Sequence, residues 1–135
     1  MRNIIAIVVG LVVGALINSS FLMLNGSWVP LPEGVDMKTP EGIAAAMPQL
    51  EFIHFVVVFL AHALGTFAGA LLATAIAKPR KFWVALVIGI AFLIGGIIMV
   101  VQIPSPISFT VVDLVMAYIP MAWLGWITGK TLQRN

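Results

Sequence analysis

Four apolar runs, at about residues 4–24, 51–77, 82–103 and 109–129, constrain this chain more than any other feature. Each is long enough, at about 20 residues or more, to cross the roughly 30 Å hydrocarbon core of a bilayer as a helix. The 135 residues are 61% hydrophobic and only 9% charged. A soluble globule of this size exposes too much of its surface to hide that much apolar side chain. The sequence therefore predicts one all-α integral membrane domain over residues 1–135, a four-helix transmembrane bundle. A secretory signal peptide competes for the first run, with Arg2 as its charged start and residues 15–20 as a cleavage neighbourhood. The run is read here as the first span.

The second run organises the rest. At about 100° per residue, Glu51, Val58, His62, Gly65, Gly69 and Ala73 share one side, while Ile53, Val56, Leu60, Leu64, Phe67 and Leu71 share the other. Small residues on one face and bulky ones on the other predict a helix that packs its small face on neighbours and gives the rest to lipid. The first run carries a matching stripe, Ala6, Gly10, Gly14 and Asn18. Gly10, Gly14, Gly65 and Gly69 are assigned to helix packing.

Residues 25–50 form the one sizeable loop. Asn25-Gly26 and the prolines at 30, 32, 40 and 48 are expected to interrupt helix there. Thr39 followed by Pro40 predicts a short helix near residues 40–47, with Thr39 as its N-cap. A tandem repeat of helical hairpins is also suggested, because Ala6-x3-Gly10 is echoed by Ala85-x3-Gly89 and Gly65-x3-Gly69 by Gly125-x3-Gly129.

The net charge of +2 needs no nucleic acid to explain it. Arg2, Lys78, Arg80, Lys81, Lys130 and Arg134 fall at one set of span ends, and only Lys38 falls at the other. The positive-inside rule then places both termini and the 78–81 turn in the cytoplasm of a cell inner (plasma) membrane, with the long loop outside.

Ionisable groups inside a span cost several kcal/mol and face a bundle interior or a water-filled cavity. The chain has few of them. Counted at about 1.5 Å per residue from the loop-side ends of the spans, Asp113 lies roughly 6–8 Å deep, Asn18 roughly 9 Å and His62 roughly 15 Å. His54 and Glu51 sit nearer the mouth. This gradation predicts an outward-facing polar pocket closed on the cytoplasmic side. No lysine or arginine in the spans neutralises Asp113, so it must be protonated, paired with His62 or His54, or hydrated. Pro120 is expected to kink the fourth span on the face shared by Asp113, Ala117 and Leu124, with Tyr118 pointing elsewhere.

Each of these residues also has a plain structural reading. Asp113 and His62 can serve as interhelical locks. Glu51-x-x-His54 has the spacing of a di-metal carboxylate bundle but lacks the further ligands, so no metal is assigned. Zero cysteines remove thiolate chemistry, and no nucleophile elbow, phosphate loop or HExxH occurs, so no enzyme activity and no cofactor are expected. Two functional readings remain. One is a proton-coupled small-solute transporter or solute-binding protein using Asp113, His62 and Asn18, with His54 and Glu51 at the mouth. The other is a non-catalytic accessory subunit whose polar residues lock helix packing. The expected partners are the lipid bilayer, a small-molecule or ion ligand and further copies of the chain.

Overall fold

The computed structural model describes residues 1–132, which are helical with no strand among them. Six helices occur in the order α1 (Arg2–Trp28), α2 (Pro40–Ala46), α3 (Phe52–Ile76), α4 (Lys81–Gln102), α5 (Ile107–Met116) and α6 (Ile119–Thr131). A single 3-10 turn, Met47–Gln49, follows α2. Four spans, with α5 and α6 together forming the last, are long and apolar enough to cross a membrane. By length and composition these four helical spans are compatible with a membrane helical bundle.

α3 is the central helix and touches α1, α4, α5 and α6. Its contact with α1 runs backbone to backbone. A Cβ on Gly65 would lie 2.8 Å from the Gly14 carbonyl oxygen, and one on Gly69 would lie 2.6 Å from that of Gly10. In the reverse direction, Cβ atoms on Gly10 and Gly14 would lie 2.7 Å from the Gly69 and Gly65 oxygens. The pairing of 10 with 69 and 14 with 65 makes the two helices antiparallel. Gly125 and Gly129 of α6 meet the carbonyls of Phe67 and Leu71, so α6 runs parallel to α3. Glycines 65 and 69 thus pack on the preceding span, whereas 125 and 129 pack on the second span and not on the third. The two hairpins are therefore not equivalent, and the suggested tandem repeat is not reflected in the packing.

One end of the bundle holds the basic residues. Arg2 Nε donates to the Ile76 carbonyl (2.6 Å), and the Lys78 backbone N–H donates to Asn3 Oδ1 (3.0 Å). Lys130 stands 4.0 Å over the Trp126 ring, which meets Phe82 edge-on at 5.1 Å. Arg134 lies outside the described residues. Toward this end the core is built from small side chains, including Ala6, Ala70, Ala73, Ala77, Ala85 and Ala122, closed around Val84 and Ile88.

Two boundaries differ from expectation. α1 continues through Asn25-Gly26 to Trp28, because an isolated helical glycine costs only about 1 kcal/mol relative to alanine. It stops at Val29, which precedes Pro30 and takes the extended backbone that a following proline imposes (φ −128°, ψ 109°). The fourth span is broken where a kink was expected. α5 ends at Met116, and α6 begins at Ile119 with Pro120 in its first turn, where the missing N–H costs nothing. The short loop helix appears as predicted, with Thr39 Oγ1 accepting from the Gly42 N–H at 3.1 Å.

The glycine contact makes a testable distinction. Gly69→Ala is expected to cost about 1–3 kcal/mol through overpacking against Gly10. Gly95→Ala, at a helical glycine with open space around it, should be neutral or mildly stabilising. Tryptophan-monitored thermal unfolding in micelles checks both.

Candidate functional site

His62 and Asp113 meet at the middle of the bundle. His62 Nδ1 lies 2.9 Å from both carboxylate oxygens of Asp113. The Tyr118 hydroxyl donates to Asp113 Oδ2 at 3.0 Å and lies 3.0 Å from His62 Nδ1. The Tyr118 and His62 rings stack with centroids 5.7 Å apart. The phenol supplies one proton to the carboxylate, so the second proton of the cluster belongs on His62 Nδ1, shared between two oxygens. A histidine whose Nδ1–H is held by a carboxylate presents Nε2 as its free position. Nε2 has no hydrogen-bond partner among the described residues. The His62 side chain keeps 18% of its surface exposed, against 4% for Asp113, so the histidine is the accessible member of the pair.

Asp113 is thus paired, the second of the three states the sequence allowed. Its partner is His62 and not His54. Tyr118, expected to point elsewhere, completes the cluster. The 100° count fails because it assumes one continuous helix. Tyr118 is the N-cap of α6, with φ −114° and ψ −78°, and the break at residues 117–118 turns its ring back toward Asp113. Gly96 of α4 makes room for it, since a Cβ there would collide with the Tyr118 hydroxyl and ring. The signal available in the sequence was Pro120 itself: a proline two residues on makes the residue at 118 a candidate cap.

The cluster closes the floor of a cavity of about 240 Å³ at the loop end of the bundle. Its walls include Phe55, Val58, Met99 and Phe109 from the spans, with Met37, Ile43 and Met47 from the loop. His54 also borders it, but both ring nitrogens are engaged. The Glu51 N–H donates to Nδ1 (3.1 Å), which places the ring proton on Nε2, where the Pro30 carbonyl accepts it (3.2 Å). His54 therefore anchors the loop to the start of α3. Glu51 is exposed at the N-cap of α3 and does not line the cavity.

Asn18 is not brought to the cavity. It packs beside Gly65, one turn farther from the loop than His62, and its Oδ1 is buried without a hydrogen-bond partner among the described residues. Its depth was underestimated because α1 runs four residues past the expected end at 24, which adds about 6 Å. A different amide takes the position Asn18 was expected to hold. Asn25, two turns farther along α1, is buried, borders the cavity, and leaves its Oδ1 without a partner. Its Asn-Gly dipeptide reads as a loop signal, which hid it. Among the described residues no cluster of three or more metal-ligating side chains occurs.

Compared with protein-family models, curated proteins and solved structures, the chain matches none. Its function is therefore read from this site.

Two outcomes test the geometry. A double-mutant cycle between His62→Ala and Asp113→Ala should return a coupling of about 0.6–1.7 kcal/mol, from the mean to the upper end found by such cycles for interhelical hydrogen bonds in membranes. Tyr118→Phe should cost about 1 kcal/mol, one hydrogen bond, and leave that coupling in place. Separately, His54→Ala should speed proteolytic nicking of residues 29–50 without altering the coupling, because it removes only the loop anchor.

Proposed function

We propose that this chain is a solute-binding membrane protein working as a small proton-coupled transporter, with the cavity as its solute site and His62 as its titratable group. The observation that carries this reading is the orientation of the pair. Asp113 and Tyr118 hold one edge of the ring of His62, a residue that lines the cavity, and leave its other edge uncommitted for a solute or a proton. Taking up a proton turns Nε2 from an acceptor into a donor, so protonation and solute hydrogen bonding are coupled at one atom. The titratable groups facing His62 are Asp113 from α5 and Tyr118 from the joint before α6, with His54 on the same cavity wall. The break between α5 and α6 supplies a joint beside this pair. The positive-inside rule supports an orientation with the basic end in the cytoplasm and the cavity outside. The alanine and glycine packing toward the basic end would close the cytoplasmic half in this state.

Ser105, the hydroxyl on the cavity wall, is within hydrogen-bond distance of Thr110 Oγ1 (3.2 Å), and no contact joins it to His62 among the described residues. A non-enzymatic role fits that arrangement better than nucleophilic catalysis.

A second reading has its own support. The Asp113 carboxylate accepts from both His62 and Tyr118, and so ties α3, α5 and the start of α6 together. A lock of that kind would serve an accessory subunit equally well. Purified protein in liposomes with an internal pH dye separates the two. The transporter reading expects the wild type to dissipate an imposed proton gradient, alone or with added solute, and Asp113→Asn and His62→Ala to fall to the level of protein-free vesicles. Silence of all three, with the Asn variant losing thermal stability, selects the lock.

A further inference from the structure

The lining of the cavity narrows what it can hold, and this step rests on the cavity being the solute site. We infer that its ligand is a small neutral amphiphile: an apolar body of about one to two fused rings, or a chain of similar bulk, carrying a hydroxyl or N–H donor.

Size comes first. A cavity of 150 Å³ lined by aliphatic and aromatic side chains accepts benzene, so about 240 Å³ accommodates a body one ring larger. The wall is mainly apolar, with Met37, Met47 and Met99 beside Phe55 and Phe109. Methionine fills irregular gaps and adapts to the shape of a guest, so the wall selects for bulk and apolarity more than for outline.

Charge comes second. No lysine or arginine borders the cavity, so an anion would lose its hydration with no cationic side chain to replace it. The one carboxylate on the lining is Asp113, and its oxygens already accept from His62 and Tyr118. A cation would have to break that cluster to find a counter-charge. Either ionic class meets a penalty that a neutral molecule avoids.

Polarity comes third. Two acceptors on lining residues lack partners among the described residues, and of the two only Asn25 Oδ1 is fully buried. One is His62 Nε2, which is an acceptor when Nδ1 carries the ring proton. The other is Asn25 Oδ1, on a residue only 6% exposed. An unpaired buried polar atom is costly and rare in a folded protein. Among the lining atoms only Asn25 Oδ1 is both buried and unpaired, and it is an acceptor, so the complementary ligand donates. A hydroxyl meets this need, and the bond it makes there offsets the hydration it gives up.

The test compares 1-naphthol, naphthalene, 1-naphthalenesulfonate and 1-naphthylmethylammonium, which share a body and differ in the polar group. Binding to the purified full-length chain in micelles is measured by titration calorimetry, beside Val58→Phe and Asn25→Leu. Val58→Phe fills the cavity from its wall and changes no polar group. Asn25→Leu removes an amide whose Oδ1 makes no hydrogen bond, so folding does not depend on that atom. The wild type should bind naphthol about tenfold more tightly than naphthalene, the worth of one buried hydrogen bond, with neither ion binding measurably. Val58→Phe should weaken naphthol at least tenfold, and Asn25→Leu should reduce the preference for naphthol over naphthalene. Equal binding of naphthol and naphthalene overturns the donor requirement. Binding of either ion that Val58→Phe removes overturns the neutral class while leaving the cavity as a solute site. Binding of no compound, or only binding that Val58→Phe leaves untouched, overturns the class and the site together.

Discussion

The mutual approach of α1 and α3 through Gly10, Gly14, Gly65 and Gly69 is the contact on which the rest of the bundle depends. Two helices surrounded by lipid gain nothing from hiding apolar side chains, since the surroundings are equally apolar, so association must come from close packing and polar contacts. Glycine at four facing positions lets backbone meet backbone and multiplies dispersion contacts along the seam. The opposite side of α3 is small as well, at Ala63 and Ala70, and α6 uses Gly125 and Gly129 to reach its carbonyls. α3 is thus walled by two other spans at backbone distance. His62 projects from the helix whose position is best determined.

That rigidity gives the polar cluster its meaning. A carboxylate at this depth is tolerable only with donors in place, and the donors come from different elements: His62 from α3 and Tyr118 from the joint before α6. The joint exists because Pro120 cannot supply the N–H that a continuous helix would need. Breaking the span lets residue 118 turn back toward residue 113, five positions earlier, which an unbroken helix would place on a different face. The proline therefore builds the site indirectly, by releasing the tyrosine. Gly96 of α4 completes the arrangement by leaving its Cβ volume to the phenol.

How much of this was legible depends on the range of the signal. The spans, the small face of α3, the Thr39 cap and the candidacy of His62 and Asp113 all follow from hydrophobic runs, helical period and the cost of buried charge. These are local or compositional rules. Tyr118 was misplaced because a helical wheel carries an angle across a break it does not know about. Asn18 and Asn25 exchanged roles for a similar reason: ending α1 at 24 instead of 28 shifts every depth along it by about a turn. His54 looked like a site residue by its spacing from Glu51, but its ring nitrogens go to backbone groups, one of them 24 residues away at Pro30, which no local pattern encodes.

The same cluster can lock helices and still work as a binding site, because the two roles use different atoms. Locking occupies His62 Nδ1, both Asp113 oxygens and the Tyr118 hydroxyl. It leaves Nε2 uncommitted and fixes its direction, which is what a recognition group requires: an orientation determined before the ligand arrives, so that little is lost on binding. A cluster with only a structural task would gain by pairing every polar atom, and the bundle has hydroxyls that do so, as when Thr66 Oγ1 donates to the His62 carbonyl at 2.8 Å. The loop end of the bundle instead leaves the Asn25 amide oxygen buried and unpaired on a residue that borders an apolar cavity. Asn18 Oδ1 and Thr74 Oγ1 are also buried and unpaired but lie off this lining, so Asn25 Oδ1 is the one such atom that a guest in the proposed site could satisfy.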